Sequence, residues 1–260
     1  MKIKIYISSL LLIYCLNNNL LSQYNDRFDG SAASNWEKVN SLSFGPADWS
    51  LSYGMLKFST PKILNGESQV FVKNNQITFL KSQNWSLEVG LLNTNNIQLQ
   101  VFVANNSFSD YFGATLTRKF SLNPPTFDPP IWGVEIPGQS YYSQNGITAS
   151  ASVWGSLKID FNASSSTYSL LYYNGENDPS GSSSWYGMDP ITNQLPYTLL
   201  ATSTTTSSDP VNIYIGVNYG SDLMYSDAYV DNLKTVPEPS ALSLLAVGLG
   251  ALAVMRRRRS

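Results

Sequence analysis

The chain is predicted to fold as an antiparallel β-sandwich, all-β apart from its two ends. Three observations predict it. Apolar side chains recur with period two rather than 3.6, turn residues part these runs at short intervals, and no stretch between residues 23 and 234 carries an amphipathic helical stripe. Taken in order, residues 49–53 and 55–59 form a hairpin about Gly54, and strands follow near 70–73 and 85–92. Ile97, Leu99, Val101 and Val103 then alternate with Gln98, Gln100, Phe102 and Ala104, so one face of that strand is buried. Another strand lies near 111–118. Leu157, Ile159 and Phe161 alternate with Lys158, Asp160 and Asn162, and residues 163–167 turn the chain into a partner strand at 168–173. A strand at 197–202 precedes the clearest alternation, Val211, Ile213, Ile215 and Val217 against Asn212, Tyr214, Gly216 and Asn218; residues 228–233 close the domain. Three loops interrupt the pattern. Residues 123–146 carry Pro124, Pro125, Pro129, Pro130 and Pro137, residues 176–190 are rich in Ser and Gly, and residues 202–210 are a Thr and Ser tract. Loops this long in a compact domain are functional or mobile.

Composition narrows the chemistry. Among 260 residues there is no histidine and one cysteine, Cys15. Imidazole-based catalysis and imidazole metal sites are therefore excluded, a single cysteine cannot build an intrachain disulfide framework, and a thiol nucleophile is available only if Cys15 is retained. Charged residues make up 13% of the chain, about half the usual share, which fits an uncharged-polar extracellular surface.

The two ends read as addresses. Lys2 and Lys4 precede the apolar run 5–16, broken only by Ser8 and Ser9, and Asn17-Asn18-Asn19 follows it. This is the order of a cleavable secretory signal, assigned to residues 1–22. Twelve helical residues span about 18 Å, too short to cross a bilayer. At the other end Pro237-Glu238-Pro239 leads into the apolar segment 241–255, then Arg256, Arg257, Arg258 and Arg259. The prolines predict an extended stretch outside any sheet, accessible to a protease. The apolar segment would be a short transmembrane helix of about 22 Å, with the arginines cytoplasmic and residues 23–235 on the other side. Between the two ends, a domain at 23–234 precedes a tail at 235–260. Without residues 1–22 and 237–260 the balance is ten basic against seventeen acidic residues, net −7. An acidic domain with no basic run longer than Arg118-Lys119 is a poor partner for nucleic acid.

The tripartite tail resembles the PEP-CTERM sorting signal of Gram-negative bacteria over about 25 residues. The resemblance implies an exosortase as processing partner, transient insertion in the inner membrane, and export to the cell surface or an exopolysaccharide-rich extracellular matrix. A plain tail anchor and a buried apolar helix of the domain are the alternatives, and four consecutive arginines argue against burial. The domain resembles concanavalin A-like and carbohydrate-binding jelly rolls in its opening Phe28-Asp29-Gly30 followed by Trp36, its two hairpins, and its closing Tyr229-Val230-Asp231-Asn232-Leu233. That resemblance implies adjacent first and last strands and a role in carbohydrate recognition or adhesion.

Three chemistries are open to such a domain. Saccharide binding uses flat aromatics and a few polar anchors, and Trp132, Tyr141, Tyr142, Trp185 and Tyr186 fall in the long loops where a β core does not require them. The alternative for each is folding back over the end of the sandwich. Trp36, Trp49, Trp85 and Trp154 lie in or beside strands and are assigned to the core. Calcium needs only oxygen ligands; Asp29, Asp227 and Asp231 could meet across adjacent first and last strands, or simply form turns. No other cofactor is implied. A glycosidase would require two carboxylates roughly 5–9.5 Å apart. The Glu-x-Asp-x-x-Glu strand of the laminarinase-like relatives is absent, since neither Glu88 nor Glu135 has an acid two positions on. The expectation is a non-catalytic polysaccharide-binding or adhesive module; a carboxylate glycosidase and an inert matrix protein are the alternatives.

Overall fold

A computed structural model describes residues 24–26, 28, 32–52, 54–60, 67–93, 97–118, 120–122, 125–127, 130–136, 148–150, 154–174, 196–219 and 226–237. In chain order the strands are β1 (Tyr24–Asp26), β2 (Trp36–Lys38), β3 (Asp48–Ser52), β4 (Met55–Thr60), β5 (Ser68–Phe79), β6 (Trp85–Asn93), β7 (Ile97–Ala104), β8 (Tyr111–Arg118), β9 (Phe120–Leu122), β10 (Pro125–Phe127), β11 (Ile131–Glu135), β12 (Thr148–Ser150), β13 (Trp154–Asn162), β14 (Thr167–Tyr173), β15 (Thr198–Thr204), β16 (Val211–Tyr219) and β17 (Ser226–Pro237). Helical geometry among the described residues is confined to two 3-10 turns, Ala32–Asn35 and Asn40–Leu42. No helix among them is long and apolar enough to cross a membrane. The expected signal and tail helices, residues 5–16 and 241–255, lie outside the described residues.

Fifteen of the strands form two antiparallel sheets, and β9 and β10 pair separately as a two-stranded hairpin. An eight-stranded sheet runs β15-β14-β13-β6-β17-β4-β3, with β1 also paired to β17, and a seven-stranded sheet runs β12-β11-β8-β7-β16-β5-β2. First and last strands are adjacent, Tyr24 standing opposite Thr235, as the jelly-roll resemblance implies. The period-two residues face inward from both sheets. Leu87, Val89 and Leu91 of β6, Leu157 and Ile159 of β13, Leu99, Val101 and Val103 of β7 and Ile213, Ile215 and Val217 of β16 have no exposed surface. Each such side chain contributes about 1.5–3 kcal/mol on burial, which makes this layer the main source of stability. One end of the layer is closed by aromatic rings. Trp85 stacks between Phe79 at 4.2 Å and Phe161 at 5.4 Å, and Tyr168 stacks on Phe112 at 5.2 Å. Trp36 also reaches the core, and Trp49 packs against it half-buried.

Two segments differ from the sequence expectation. The proline-rich stretch 123–146 contains β11, which pairs with β8 and β12 inside the seven-stranded sheet. Its prolines flank the strand instead of interrupting it, so Ile-Trp-Gly-Val-Glu keeps a two-residue alternation, with Trp132 and Val134 turned into the core. The sorting segment, expected to stand clear of any sheet, begins within one: β17 continues to Pro237, which lies opposite Trp85 of β6. A proline at the end of a strand loses only the last ladder donor, and its fixed φ suits an extended backbone.

At the same end as the aromatic rings, three turns are tied by one buried ion pair. The Lys81 ammonium contacts the Asp110 carboxylate and donates to the Ser207 carbonyl at 3.0 Å, while the Tyr168 hydroxyl donates to Asp110 at 3.4 Å. Burial and the Asp110 charge push the Tyr168 hydroxyl far above its ordinary range, so it remains a donor at any working pH. Removing one partner of such a pair strands the other charge in a dry site. Lys81→Met or Asp110→Ala alone is expected to lower unfolding free energy by about 3–5 kcal/mol, and the double variant to recover part of that loss in a denaturant titration.

Candidate functional site

The outward positions of the seven-stranded sheet carry a second, smaller cluster. Register sets Glu135, Gly113, Phe102, Tyr214 and Lys73 in one row across β11, β8, β7, β16 and β5. Gly133, Thr115, Gln100, Gly216 and Phe71 form the next row. Phe102 stacks face to face on Tyr214 at 5.3 Å with 8° between planes. Phe71, Phe108 and Tyr111 stand at 61°, 62° and 66° to Phe102, with centroids 5.6, 6.4 and 6.4 Å away. Phe71, Phe102, Phe108 and Tyr111, with Leu42, Gln69, Gln100 and Glu135, line a cavity of about 240 Å³. That volume suits one sugar ring or a similar small molecule.

Local sequence builds this cup in two ways. Gly216 and Gly113 leave room for the rings: a Cβ on Gly216 would lie 2.2 Å from Phe71 Cδ1, and one on Gly113 would lie 2.4 Å from Phe102 Cβ. Phe108 is held over the sheet at φ 55°, a left-handed conformation that a bulky side chain rarely adopts. Such strain, of about 1–3 kcal/mol, persists only when neighbours fix it. Here Asn105 does so. Its carbonyl accepts from Phe108 N at 3.1 Å, its Oδ1 accepts from Asp110 N at 3.3 Å, and its Nδ2 donates to Ser109 Oγ at 3.0 Å.

Glu135 supplies the one charge among the described lining residues. Its Oε1 accepts from Thr115 Oγ1 at 2.6 Å and from Gln100 Nε2 at 3.1 Å. Burial outweighs these two bonds and raises the carboxyl above its ordinary 4.5. Burial, then the field of Glu135, raises the Tyr111 hydroxyl as well.

The residues singled out from sequence fall elsewhere. Trp132 has no exposed surface; its indole packs where a Cβ on Gly155 would meet it at 2.4 Å, and its Nε1 donates to Asn174 Oδ1 at 3.0 Å. It takes the inward place that was the alternative for each loop aromatic, because β11 turns it to the core side. Tyr141, Tyr142, Trp185, Tyr186 and Asp29 lie outside the described residues, as do Glu238, Pro239 and Arg256–Arg259. Asp227 and Asp231 share a sheet face, yet each is otherwise engaged. Asp227 Oδ2 receives Lys57 Nζ at 3.1 Å, and Asp231 Oδ1 accepts from Asn232 N at 2.7 Å in the bulge where β17 shifts register. Among the described residues no three of His, Cys, Asp and Glu come close enough to share an ion, and Asp29, the third member of the expected calcium set, lies outside them.

Glu88 and Glu135 are on opposite outer faces. Glu88 belongs to β6 of the eight-stranded sheet, between inward-facing Leu87 and Val89, and Glu135 to the far side of the other sheet. The whole core separates them. The aromatic cup itself had one legible signal: Phe102 and Tyr214 occupy outward positions that the alternation reserves for polar residues.

Comparison with known proteins bears on the tail and the fold separately. Residues 235–259 match the PEP-CTERM protein-sorting motif. No curated protein sequence matches the chain. Among solved structures, the fold is similar to lectin UEA-II complexed with galactose, at 12% identity and TM-score 0.50 over 84% of this chain and 99% of that one. It is equally similar to basic winged bean lectin with Tn-antigen, at 9% identity and TM-score 0.50 over 84% and 99%. The chain therefore carries the sorting motif behind a lectin-like jelly-roll sandwich.

The raised carboxyl of Glu135 sets a pH dependence. A folded pKa above the unfolded one adds stability that is full below about 4.5 and lost as pH rises through the folded value. Relative to Glu135→Gln, the stability of the wild-type chain is expected to fall with rising pH across that window and then level off. Thermal melts of both at several pH values check this, and parallel profiles would contradict it.

Proposed function

We propose that this protein is exported, processed by an exosortase and displayed at the surface or in the extracellular matrix of a bacterium, where its sandwich binds polysaccharide without cleaving it. The sorting motif at 235–259 supports the first part. The aromatic cup supports the second, and it is the observation on which the reading rests. A pyranose ring has an apolar face that stacks on aromatic rings and a rim of hydroxyls that needs acceptors and donors. Phe108 and Tyr111, half-buried above the nearly covered Phe71 and Phe102, offer the first; Gln69, Gln100 and Glu135 offer the second. Galactose and Tn-antigen occupy the two lectins of similar fold. At such low identity the fold is a scaffold with precedent, and the site chemistry must come from this chain's own residues.

A binding role is favoured over hydrolysis by the placement of acids. Glu135 is the only carboxylate among the described lining residues. Along its own row the next acid is Glu37 of β2, five strand spacings or roughly 24 Å away. Glycosidases need a pair within about 9.5 Å.

Two experiments test the two parts. On a glycan array the full-length chain is expected to bind, and Phe102→Ala to lose at least about tenfold in affinity. Phe108→Gly removes ring contacts but also relieves backbone strain, so its melting temperature should stay within about 4 °C of wild type while glycan binding falls. Undiminished binding by both variants would overturn the site. For export, replacing Pro237, Glu238 and Pro239 with alanine should leave uncut protein in the membrane fraction; normal release would overturn the sorting assignment.

A further inference from the structure

The polar atoms of the cup are unevenly satisfied. Both hydrogen bonds to Glu135, from Thr115 and from Gln100, end on Oε1, and Oε2 has no hydrogen-bond partner among the described residues. Gln69 is turned so that its Nε2 donates to the Leu42 carbonyl at 2.8 Å, and Gln100 so that its Nε2 donates to Glu135; their Oε1 atoms are thereby left as acceptors. No lysine or arginine is among the described lining residues. The nearest lysine in the same row, Lys73, sits beyond Tyr214 and donates to Asn106 Oδ1 at 3.4 Å. Glu135 thus lines an aromatic-walled cavity with one carboxylate oxygen uncommitted and no cation among the described lining residues.

A neutral hydroxyl could donate to Oε2, but a cationic donor gains more. Charge-assisted hydrogen bonds are roughly twice as strong as neutral ones, and a cation is also attracted by the faces of surrounding rings. An anionic group would meet Glu135 and two amide acceptor oxygens, with no counter-charge among the described lining residues. We infer that Glu135 makes this cavity selective for a cationic amine, so that the sugar unit it takes is a hexosamine whose amino group is free. The inference rests on the saccharide reading of the cup given above. It names the ligand class of that site as an amine-bearing glycan in preference to an N-acetylated, neutral or uronic one.

The test is calorimetric or NMR titration of the full-length chain with glucosamine, N-acetylglucosamine, glucuronic acid and putrescine. Glucosamine is expected to bind about tenfold or more tightly than N-acetylglucosamine, with glucuronic acid weakest. Glu135→Gln should bring glucosamine down to the level of N-acetylglucosamine and leave the latter unchanged, and acidification should weaken glucosamine binding alone. The order of affinities in the wild-type chain decides the matter even if the variant fails to fold. Equal or tighter binding of N-acetylglucosamine would overturn amine selection while leaving the saccharide reading standing. Binding of putrescine with neither hexosamine would support amine selection and overturn the sugar as its carrier. No binding of any of the four would overturn both.

Discussion

A single dry layer of aliphatic side chains holds the two sheets face to face, and the positions of all other groups follow from it. The layer exists because β6, β7, β13 and β16 each turn every second residue inward, where Leu, Ile and Val are wholly removed from water. Once that parity is fixed, the intervening residues have no choice of side. Gln100, Phe102 and Tyr214 must face outward, and Trp132, on a strand between prolines, must face in. The turns at one end are then joined by the Lys81–Asp110 pair, where the layer gives way to stacked rings and buried polar groups.

Outward aromatic residues on a sheet are a liability unless something covers them. In this protein they partly cover one another. Phe102 lies between Tyr214 and a ring of three further aromatics, and the absence of side chains at Gly113 and Gly216 lets those rings lie low across neighbouring strands. Strain at Phe108 is the counterpart of that arrangement: a turn chosen for stability alone would put Gly or Asn at a left-handed position.

The same parity rule governs the two features that distinguish this chain from a generic sandwich. It places Glu88 and Glu135 on opposite outer faces, so these two acids cannot flank one glycosidic bond. It also carries the sorting tail directly out of the fold. β17, central in the eight-stranded sheet, runs on through Thr235, which is buried, to Pro237, so the matched motif at 235–259 begins while the chain is still paired with β6. Residues 235–237 thus belong both to the last strand and to the matched motif.

The strands were legible because alternation is a local pattern: Val211 to Val217 or Ile97 to Val103 can be assigned from neighbours two residues apart. The sorting motif was legible for a similar reason, being contiguous and chemically unusual. β11 was obscured because five residues between prolines look like loop until a partner strand is present to complete the ladder. The cup was only hinted at, by aromatics in outward positions, since Phe71, Phe102, Tyr111 and Glu135 are far apart in sequence and become neighbours only through the β5-β16-β7-β8-β11 order and its register. The sequence by itself determined the inward faces of the strands with clear alternation, because sidedness follows from period and polarity along one strand. Only the tertiary structure decided which exposed residues meet, because a site assembled from several strands depends on pairing order, and pairing is a long-range property that no local pattern encodes.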